Sequence, residues 1–333
     1  MHRLLALLLL IPLLVLLLAL STNPVPSVIP VLAQSSSGKV VAAPSLTDQV
    51  LVERALANEL HAAQNGNLDA NQNANHDTNQ DAIQDANHPM RYQLRKTSPR
   101  ATTTKEIMET RDGEVARLIE INDKPLGAPD EANEEARLQA LLADPGQQRH
   151  RKQAQNDDEG RILRLLRAMP RAFLYQDAGP GEGPSGKVEK FTFRPNPEFN
   201  PADLETEVLP AMAGEIWIDP VRIRVARLEA HLQRDVDFGW GILGRLNKGG
   251  RIVIEQGDVG PDMGPDMGPD KGPDKGPDKR IDEWRTVRFE MQMSGRVVFR
   301  NRVFDTTEVQ SNYAPLPLGM SYQKAVEMLL SGK

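Results

Sequence analysis

The stretch GEIWIDPVRIRVARLEAHLQ, Gly214 to Gln233, decides the fold that this sequence encodes. Glu215 to Ile218 predicts a short strand that ends at an Asp-Pro turn. In the strand that follows, apolar residues fall at odd positions as far as Val225 and at even positions from Leu228. In a regular strand, this change by one position would turn the apolar side chains on one side of it to the wrong face. We therefore predict a β-bulge at Ala226-Arg227, a device that bends strands in curved sheets.

The chain beyond this stretch predicts four more strands and a helix. The strands are Arg251 to Gln256, Glu283 to Met293, Arg296 to Phe304 and Glu308 to Tyr313. Ser294-Gly295 predicts a turn between the second and the third, and the fourth is expected at an edge of the sheet. Ser321 to Leu330 predicts a closing helix because its apolar residues lie three or four positions apart.

The chain before Gly214 also combines strands and helices. The predicted strands are Met90 to Arg95, Lys105 to Arg111, Glu114 to Ile121, Phe173 to Tyr175 and Lys187 to Arg194. Asp112-Gly113 predicts a hairpin between the second and third of them. A Gly/Pro-rich turn at Gly179 to Gly186 is expected between the last two. Leucines at helical spacing predict two helices, one on each side of Asp144-Pro145-Gly146.

These elements predict a mainly β fold with helices (α+β). The expected architecture is a curved antiparallel sheet of roughly ten or eleven strands, or an unclosed β-barrel, covered by helices. Such a sheet buries one face against helices or around an apolar ligand. Six apolar residues are expected on the concave side: Phe191, Phe193, Trp217, Val225, Phe289 and Met291. They would contact a ligand or form ordinary core.

The N-terminus predicts export. A basic start precedes an apolar run from Leu4 to Leu20, and the small residues before Gln34 fit a cleavage site. Residues 1–33 therefore predict a cleaved signal peptide, and we expect the protein in the periplasm or secreted. The alternative is a protein anchored in the inner membrane through residues 4–20. The absence of Cys excludes disulfides and a lipid-modified N-terminal Cys.

Two stretches have a composition typical of disorder. Residues 34–89 contain a predicted helix, Ser45 to His61, and an Asn/Asp/Gln-rich linker from Asn65 to His88 that has almost nothing to bury. Residues 257–282 contain five tandem repeats of a four-residue unit, Gly-Pro-Asp followed by Met or Lys. Pro at every fourth position excludes helix, strand and collagen, so this segment predicts a long loop between two strands. The globular domain is accordingly expected at residues 90–333.

Charge and motifs argue against several classes of function. The net charge of -6 comes from interspersed acidic and basic residues, so nucleic acid is not an expected partner. Nucleophile-elbow, zinc-protease, phosphate-loop, dinucleotide and Ca²⁺-loop patterns do not occur in the sequence. We therefore predict no cofactor, no metal and no catalytic residues. The alternative is a hydrolase whose active-site residues are scattered along the chain.

The order of elements, and above all the strand, Asp-Pro turn and long charged strand of Gly214 to Gln233, resembles the LolA-like and LolB-like lipoprotein-carrier superfamily, which also includes periplasmic stress-signalling sensor domains. The resemblance covers about Met90 to Leu330. It implies an unclosed antiparallel barrel whose helix-covered apolar cavity binds acyl chains or lipoproteins. The low-complexity insertions and the Pro-rich connection from Arg194 to Pro201 depart from that pattern. So does the missing lipid-attachment Cys, which argues for a soluble form.

One function and two alternatives follow. We expect an exported, non-enzymatic envelope protein that binds a lipid or lipoprotein acyl chain in an apolar half-barrel cavity. The first alternative is a periplasmic sensor or scaffold that has a closed core and binds another envelope protein. The second is the hydrolase described above.

Overall fold

The computed structural model describes residues 46–72, 89–238, 244–260, 283–297 and 300–332. The predicted signal peptide and the repeated Gly-Pro-Asp units lie outside the described residues. The described helices are α1 (Leu46–Gln72), α2 (Ala128–Ala143), α3 (Pro145–Ala172) and α4 (Tyr322–Ser331), with a short 3₁₀ helix at Thr206–Ala211. The described strands are β1 (Met90–Thr97), β2 (Thr102–Met108), β3 (Val115–Ile121), β4 (Lys124–Pro125), β5 (Phe173–Gly183), β6 (Gly186–Pro195), β7 (Met212–Asp219), β8 (Arg224–Leu232), β9 (Val236–Phe238), β10 (Gly244–Leu246), β11 (Arg251–Asp258), β12 (Trp284–Val297) and β13 (Arg300–Pro315).

The described strands form one antiparallel sheet. Its order is β4-β3-β2-β1-β13-β12-β11-β8-β7-β6-β5, and β10 lies beside both β12 and β9. The two end strands, β4 and β5, do not pair with each other, so the sheet is curved and unclosed. The predicted α+β class with an open antiparallel sheet is confirmed.

The predicted β-bulge is present in β8. Trp217 pairs with Arg227 and Ile218 pairs with Val225, so Ala226 has no partner on β7. Because of this extra residue, Val225 and Leu228 both belong to the main core although they are three positions apart. Ala226 itself packs in a separate small cluster.

The two predicted hairpins are present, with one change. β2 and β3 pair as far as Met108 and Val115, and Gly113 in the loop has φ +98°, a left-handed conformation that favours glycine. β5 and β6 pair as far as Gly183 and Gly186, so most of the segment expected to be a turn is strand. Pro180 fits there because β5 is an edge strand, where an amide on the open side is not needed.

Two expectations near the C-terminus are wrong. Ser294-Gly295 is not a turn but lies inside β12, whose pairing with β13 continues to Val297 and Arg300. Gly295 is needed for strand contact rather than for a turn, since a Cβ there would clash with the carbonyl oxygen of Arg245 on β10. Glu308 to Tyr313 is not an edge strand, because it belongs to β13, which lies between β12 and β1.

Helix α1 is longer than predicted and belongs to the folded unit. It extends to Gln72, so residues 65–72, which were expected in the linker, are helical. Val52, Ala55 and Leu56 on one side of α1 are at most 2% exposed in the main core. The helix expected ahead of the domain is therefore part of its core.

Two apolar clusters contain most of the buried apolar residues among the described ones. The main core lies between the sheet and helices α1 and α3, and the second lies where α2 and α4 pack near β2 and β3. Asp144 ends α2 and begins α3, and its carboxylate accepts hydrogen bonds from the amides of Gly146 and Gln147 at 2.9 and 3.3 Å. None of the described helices has a stretch long and apolar enough to cross a membrane.

Candidate functional site

The candidate site lies where α1 and α3 cover the apolar side of the sheet. Five of the six residues expected on this side belong to the main core and are 1–5% exposed: Phe191, Phe193, Val225, Phe289 and Met291. They face the core because successive side chains of a strand point to opposite faces. They form part of the main core, and their contact with a ligand stays a prediction.

Trp217 lies on the opposite face from the one expected. Its neighbours Ile216 and Ile218 are fully buried in the main core, so alternation turns Trp217 outward. The Lys190 ammonium lies 4.3 Å and the Arg227 guanidinium 5.1 Å from the centre of the indole ring. These are cation–π distances. Trp217 therefore contacts cations on the outer face and does not line the site.

A cavity of about 30 Å³ remains between α1, α3 and the sheet. Its lining is apolar except for Glu59 of α1 and Gln256 of β11. Of the six predicted residues, only Val225 contributes to the lining. We call the space under α1 the α1 groove; its floor and wall are formed by Ile162, Leu165, Met169, Ile216, Leu228 and Ile254.

The size of the cavity shows that α1 fills the α1 groove. A cavity that holds one water molecule needs roughly 10–15 Å³, whereas sites for small-molecule ligands usually measure about 300 Å³ or more. The observed 30 Å³ is far below that range. An acyl chain can enter only if Leu56 and the rest of the buried side of α1 move away.

Glu59 attaches α1 to the sheet. Its carboxylate accepts two hydrogen bonds from the Arg224 guanidinium, at 2.8 and 3.1 Å, and one from the amide of Val225 at 3.0 Å. Glu59 is 3% exposed. The neighbouring Asn58 side chain donates to the carbonyl oxygen of Ile223 at 3.0 Å. Glu59 and Asn58 thus attach α1 to the start of β8, beside the bulge.

The turn that receives this attachment is strained. Ile223 has φ +52°, a left-handed conformation that β-branched residues rarely adopt. The Asp219 carboxylate accepts hydrogen bonds from the amides of Val221 and Arg222 at 2.9 and 2.8 Å and holds the turn in this form. Residues in such conformations persist only where the surrounding structure imposes them. Here the imposed geometry presents Ile223 and Arg224 to α1.

The outer face of β8, β11 and β12 is a charge-paired surface. Glu229 accepts hydrogen bonds from Arg251 and Arg227, both at 2.7 Å, and Arg251 also reaches Glu290 at 3.2 Å. The bond from Arg251, opposed by partial burial and assisted by Arg227, lowers the pKa of Glu229. Val253 beneath these side chains is only 1% exposed. Because these charges neutralise one another, the apolar face is the better candidate site.

A buried ion cluster joins β12 to the loop after β2. The Arg285 guanidinium, 4% exposed, lies 3.0 Å from Glu283 and 3.6 Å from Glu109. Burial opposes its charge, but the two carboxylates raise the pKa of Arg285 above its ordinary value. The charges compensate one another, as buried charges in stable structures do. The cluster therefore has a structural role in holding β12.

Glu59 is not among the predicted site residues, although the sequence contains a signal for it. Val52, Leu56 and Glu59 are spaced four and three residues apart, so the carboxylate occupies a position of the apolar stripe of α1. A charge at such a position requires a buried partner. The partner, Arg224, is 165 residues further along the chain and has no local pattern that identifies it.

Comparisons with protein-family models, with curated proteins and with solved structures found no match. Within the described ranges, no three His, Cys, Asp or Glu side chains converge as metal ligands.

Proposed function

We propose that this chain is an exported, non-enzymatic envelope protein that binds an acyl chain of a lipid or lipoprotein in the α1 groove. The observation that carries the proposal is the chemistry of the groove, whose floor and wall are apolar and whose cover is one N-terminal helix. The resemblance of Gly214 to Gln233 to lipoprotein carriers supports it, and the apolar run from Leu4 to Leu20 supports export. The ligand enters when α1 is displaced.

The connectivity of α1 suits a movable cover. Helix α1 contributes no strand to the sheet, and residues 73–88 separate it from β1, so it can leave the groove without breaking a ladder. Its polar attachments include Asn58 and Glu59 to the start of β8, Gln49 to the carbonyl oxygen of Pro170, and Asp48 to the amide of Asp177. Displacing α1 would exchange its apolar contacts for those of the acyl chain, so apolar burial is retained in both states.

A thiol lock tests this proposal. The chain has no Cys, so Asn58→Cys with Ile223→Cys introduces the only two thiols, at positions already joined by a 3.0 Å hydrogen bond. A short bis-maleimide would then fix α1 to the sheet. Incubation with palmitic acid, native mass spectrometry and organic extraction should show one acyl chain per protein in the unlinked double variant and in wild type, and none in the linked form. Equal loading of linked and unlinked protein, or no loading of wild type, would contradict the proposal.

The second candidate function is a sensor or scaffold with a closed core. The observation that favours it is the cavity volume of about 30 Å³, which leaves no room for an acyl chain while α1 is in place. In that case wild type and both forms of the double variant would remain free of lipid. A protein partner bound at the outer surface would then account for the function.

A further inference from the structure

The hairpin of β12 and β13 has an open sheet edge. β13 pairs with β12 from Arg300 to Val309, whereas β1 pairs with β13 only from Thr307 onward. Among the described residues, the segment from Arg300 to Thr306 therefore has a strand on one side only. We call this segment the open edge.

The backbone of Val303 points toward the open side. The carbonyl oxygen of Ser294 on β12 accepts a hydrogen bond from the amide of Asn247, at 2.9 Å, on the side of β10. In an antiparallel ladder, hydrogen-bonded and non-hydrogen-bonded pairs alternate, so Ser294 and its partner Val303 form a non-hydrogen-bonded pair. The amides and carbonyls of Asn301, Val303 and Asp305 consequently face away from β12.

The other described edges of the sheet are protected or short. On β3, beyond its pairing with β4, the amide of Leu118 and the carbonyl oxygen of Ala116 bind Glu134 and Arg137 of α2. β5 contains Pro180 between two glycines, and the Asp48 carboxylate of α1 accepts the amide of Asp177 at 3.2 Å. β4 has two residues and β9 has three. The open edge, with the sequence RNRVFDT, has neither Pro nor Gly. An unprotected edge of this length is a template for an added strand.

The side chains of the open edge alternate in chemistry. Arg300 and Arg302 are exposed and share a face with Phe304, while Val303 on the other face is 75% exposed. A strand added here would place its side chains directly beside these residues. Carboxylates would suit the arginine face, and β-branched apolar side chains would suit Val303.

We propose that the open edge binds an extended segment of a partner protein in which acidic residues alternate with β-branched apolar residues. The segment adds one strand to the sheet beside β13. Charge complementarity selects this occupant, because Arg300 and Arg302 lie together on one face of the open edge, whereas its one acidic residue, Asp305, lies on the other face. A second copy of the open edge fits less well, since antiparallel pairing about Val303 would place the Arg302 residues of the two copies diagonally across from each other on one face and offer no carboxylate to either.

A binding measurement with a designed peptide tests the proposal. The probe is fluorescein-labelled Val-Glu-Val-Glu-Val-Glu-Val, and the control peptide has Lys in place of each Glu. Val303→Pro removes an amide that faces the open side but no amide that faces β12, so the native ladder is retained. Val303→Thr is its matched control because it keeps the amide and the β propensity. Arg300→Glu with Arg302→Glu reverses the charge without changing the backbone.

Fluorescence anisotropy should show saturable binding of the acidic peptide to wild type and to V303T. Val303→Pro and the double charge reversal should each weaken it at least tenfold, and the lysine peptide should not bind. Equal affinity for all variants, or no binding of the acidic peptide, would overturn the proposal. A concentration-dependent dimer that light scattering detects in wild type and not in V303P would also overturn it, because a second copy would then occupy the edge. If V303P does not fold, judged by circular dichroism, the double charge reversal and the lysine peptide decide alone.

Discussion

At the scale of single residues, the core beside Val225 has room for about one more methylene group. The cavity that Val225 lines has about 30 Å³. Filling such a space stabilises a core by roughly 24 cal/mol per Å³, so Val225→Ile should raise the free energy of unfolding by about 0.7 kcal/mol. Urea unfolding followed by tryptophan fluorescence would measure it.

Val253→Ile is the matched control for this change. Val253 lies one strand away and is 1% exposed, but it does not line the cavity. Val253 lies on the outer face under charged side chains, so its added methylene fills no cavity and should change the free energy of unfolding by no more than about 0.5 kcal/mol. Val225→Ile would contradict the assignment of the cavity if it stabilised the protein no more than Val253→Ile.

At the scale of elements, the Glu59–Arg224 pair determines how firmly α1 is held. Glu59 is 3% exposed, and Arg224 donates to both of its carboxylate oxygens. Removing one partner of a buried ion pair leaves an uncompensated charge, which typically lowers stability by about 3–5 kcal/mol. We expect Glu59→Gln to lower the free energy of unfolding by about 3 kcal/mol. Removal of the whole side chain would cost more, because the amide oxygen of Gln can still accept a hydrogen bond from Val225.

A double-mutant cycle separates the pair from the packing of its side chains. The double variant with Arg224→Met and Glu59→Gln should be destabilised by less than the sum of the two single variants. Each single variant leaves one buried charge unpaired, and the second substitution removes that charge. Hydrogen exchange should show faster exchange of α1 amides in Glu59→Gln than in wild type. Strictly additive single and double changes would show that the ion pair does not hold the helix.

Helix α2 is held by a group that titrates at acid pH. The buried Glu134 carboxylate accepts from the amide of Leu118 and from Arg137, each at 2.7 Å. Burial opposes the ionised form, but the Arg137 and Leu118 hydrogen bonds outweigh it and lower the pKa of Glu134 below its ordinary value. Because the pKa is lower in the folded than in the unfolded state, the stability from Glu134 is present above the unfolded pKa and is lost as pH falls through the folded pKa.

Wild type should therefore lose more stability than Glu134→Gln when the pH falls from neutral through the carboxylate range. Free energies of unfolding at several pH values, from urea titrations, would measure the difference. Glu131→Gln on the same helix, whose side chain is 53% exposed, is the control for loss of a charge. Parallel pH curves for wild type and Glu134→Gln would exclude this role of Glu134.

At the scale of the whole molecule, the features that depend on local alternation were predictable and those that depend on distant partners were not. The bulge at Ala226 follows from a parity change within ten residues of sequence. Trp217 is large and apolar, but it alternates with the buried Ile216 and Ile218 and therefore lies on the outer face. Residues 65–72 looked disordered by composition, yet they continue a helix whose packing comes from Val52 and Leu56. The α1 groove itself forms only where α1, α3 and three strands, β7, β8 and β11, meet, and no local pattern in the sequence indicates this meeting.

The two candidate functions predict different behaviour for a shortened chain that lacks α1. A chain that begins at Pro89 lacks Val52 and Leu56, whose burial contributes about 1.5–3 kcal/mol each, and it leaves Arg224 without Glu59. We expect its free energy of unfolding to be several kcal/mol lower, which is a large part of the roughly 5–15 kcal/mol that is ordinary for a folded protein. A peptide of residues 46–72 added in excess should restore its melting temperature. If the α1 groove accepts acyl chains, palmitic acid should do the same in place of the peptide; if the core is closed around α1 alone, only the peptide should. A shortened chain as stable as the full one would show that α1 is not part of the core.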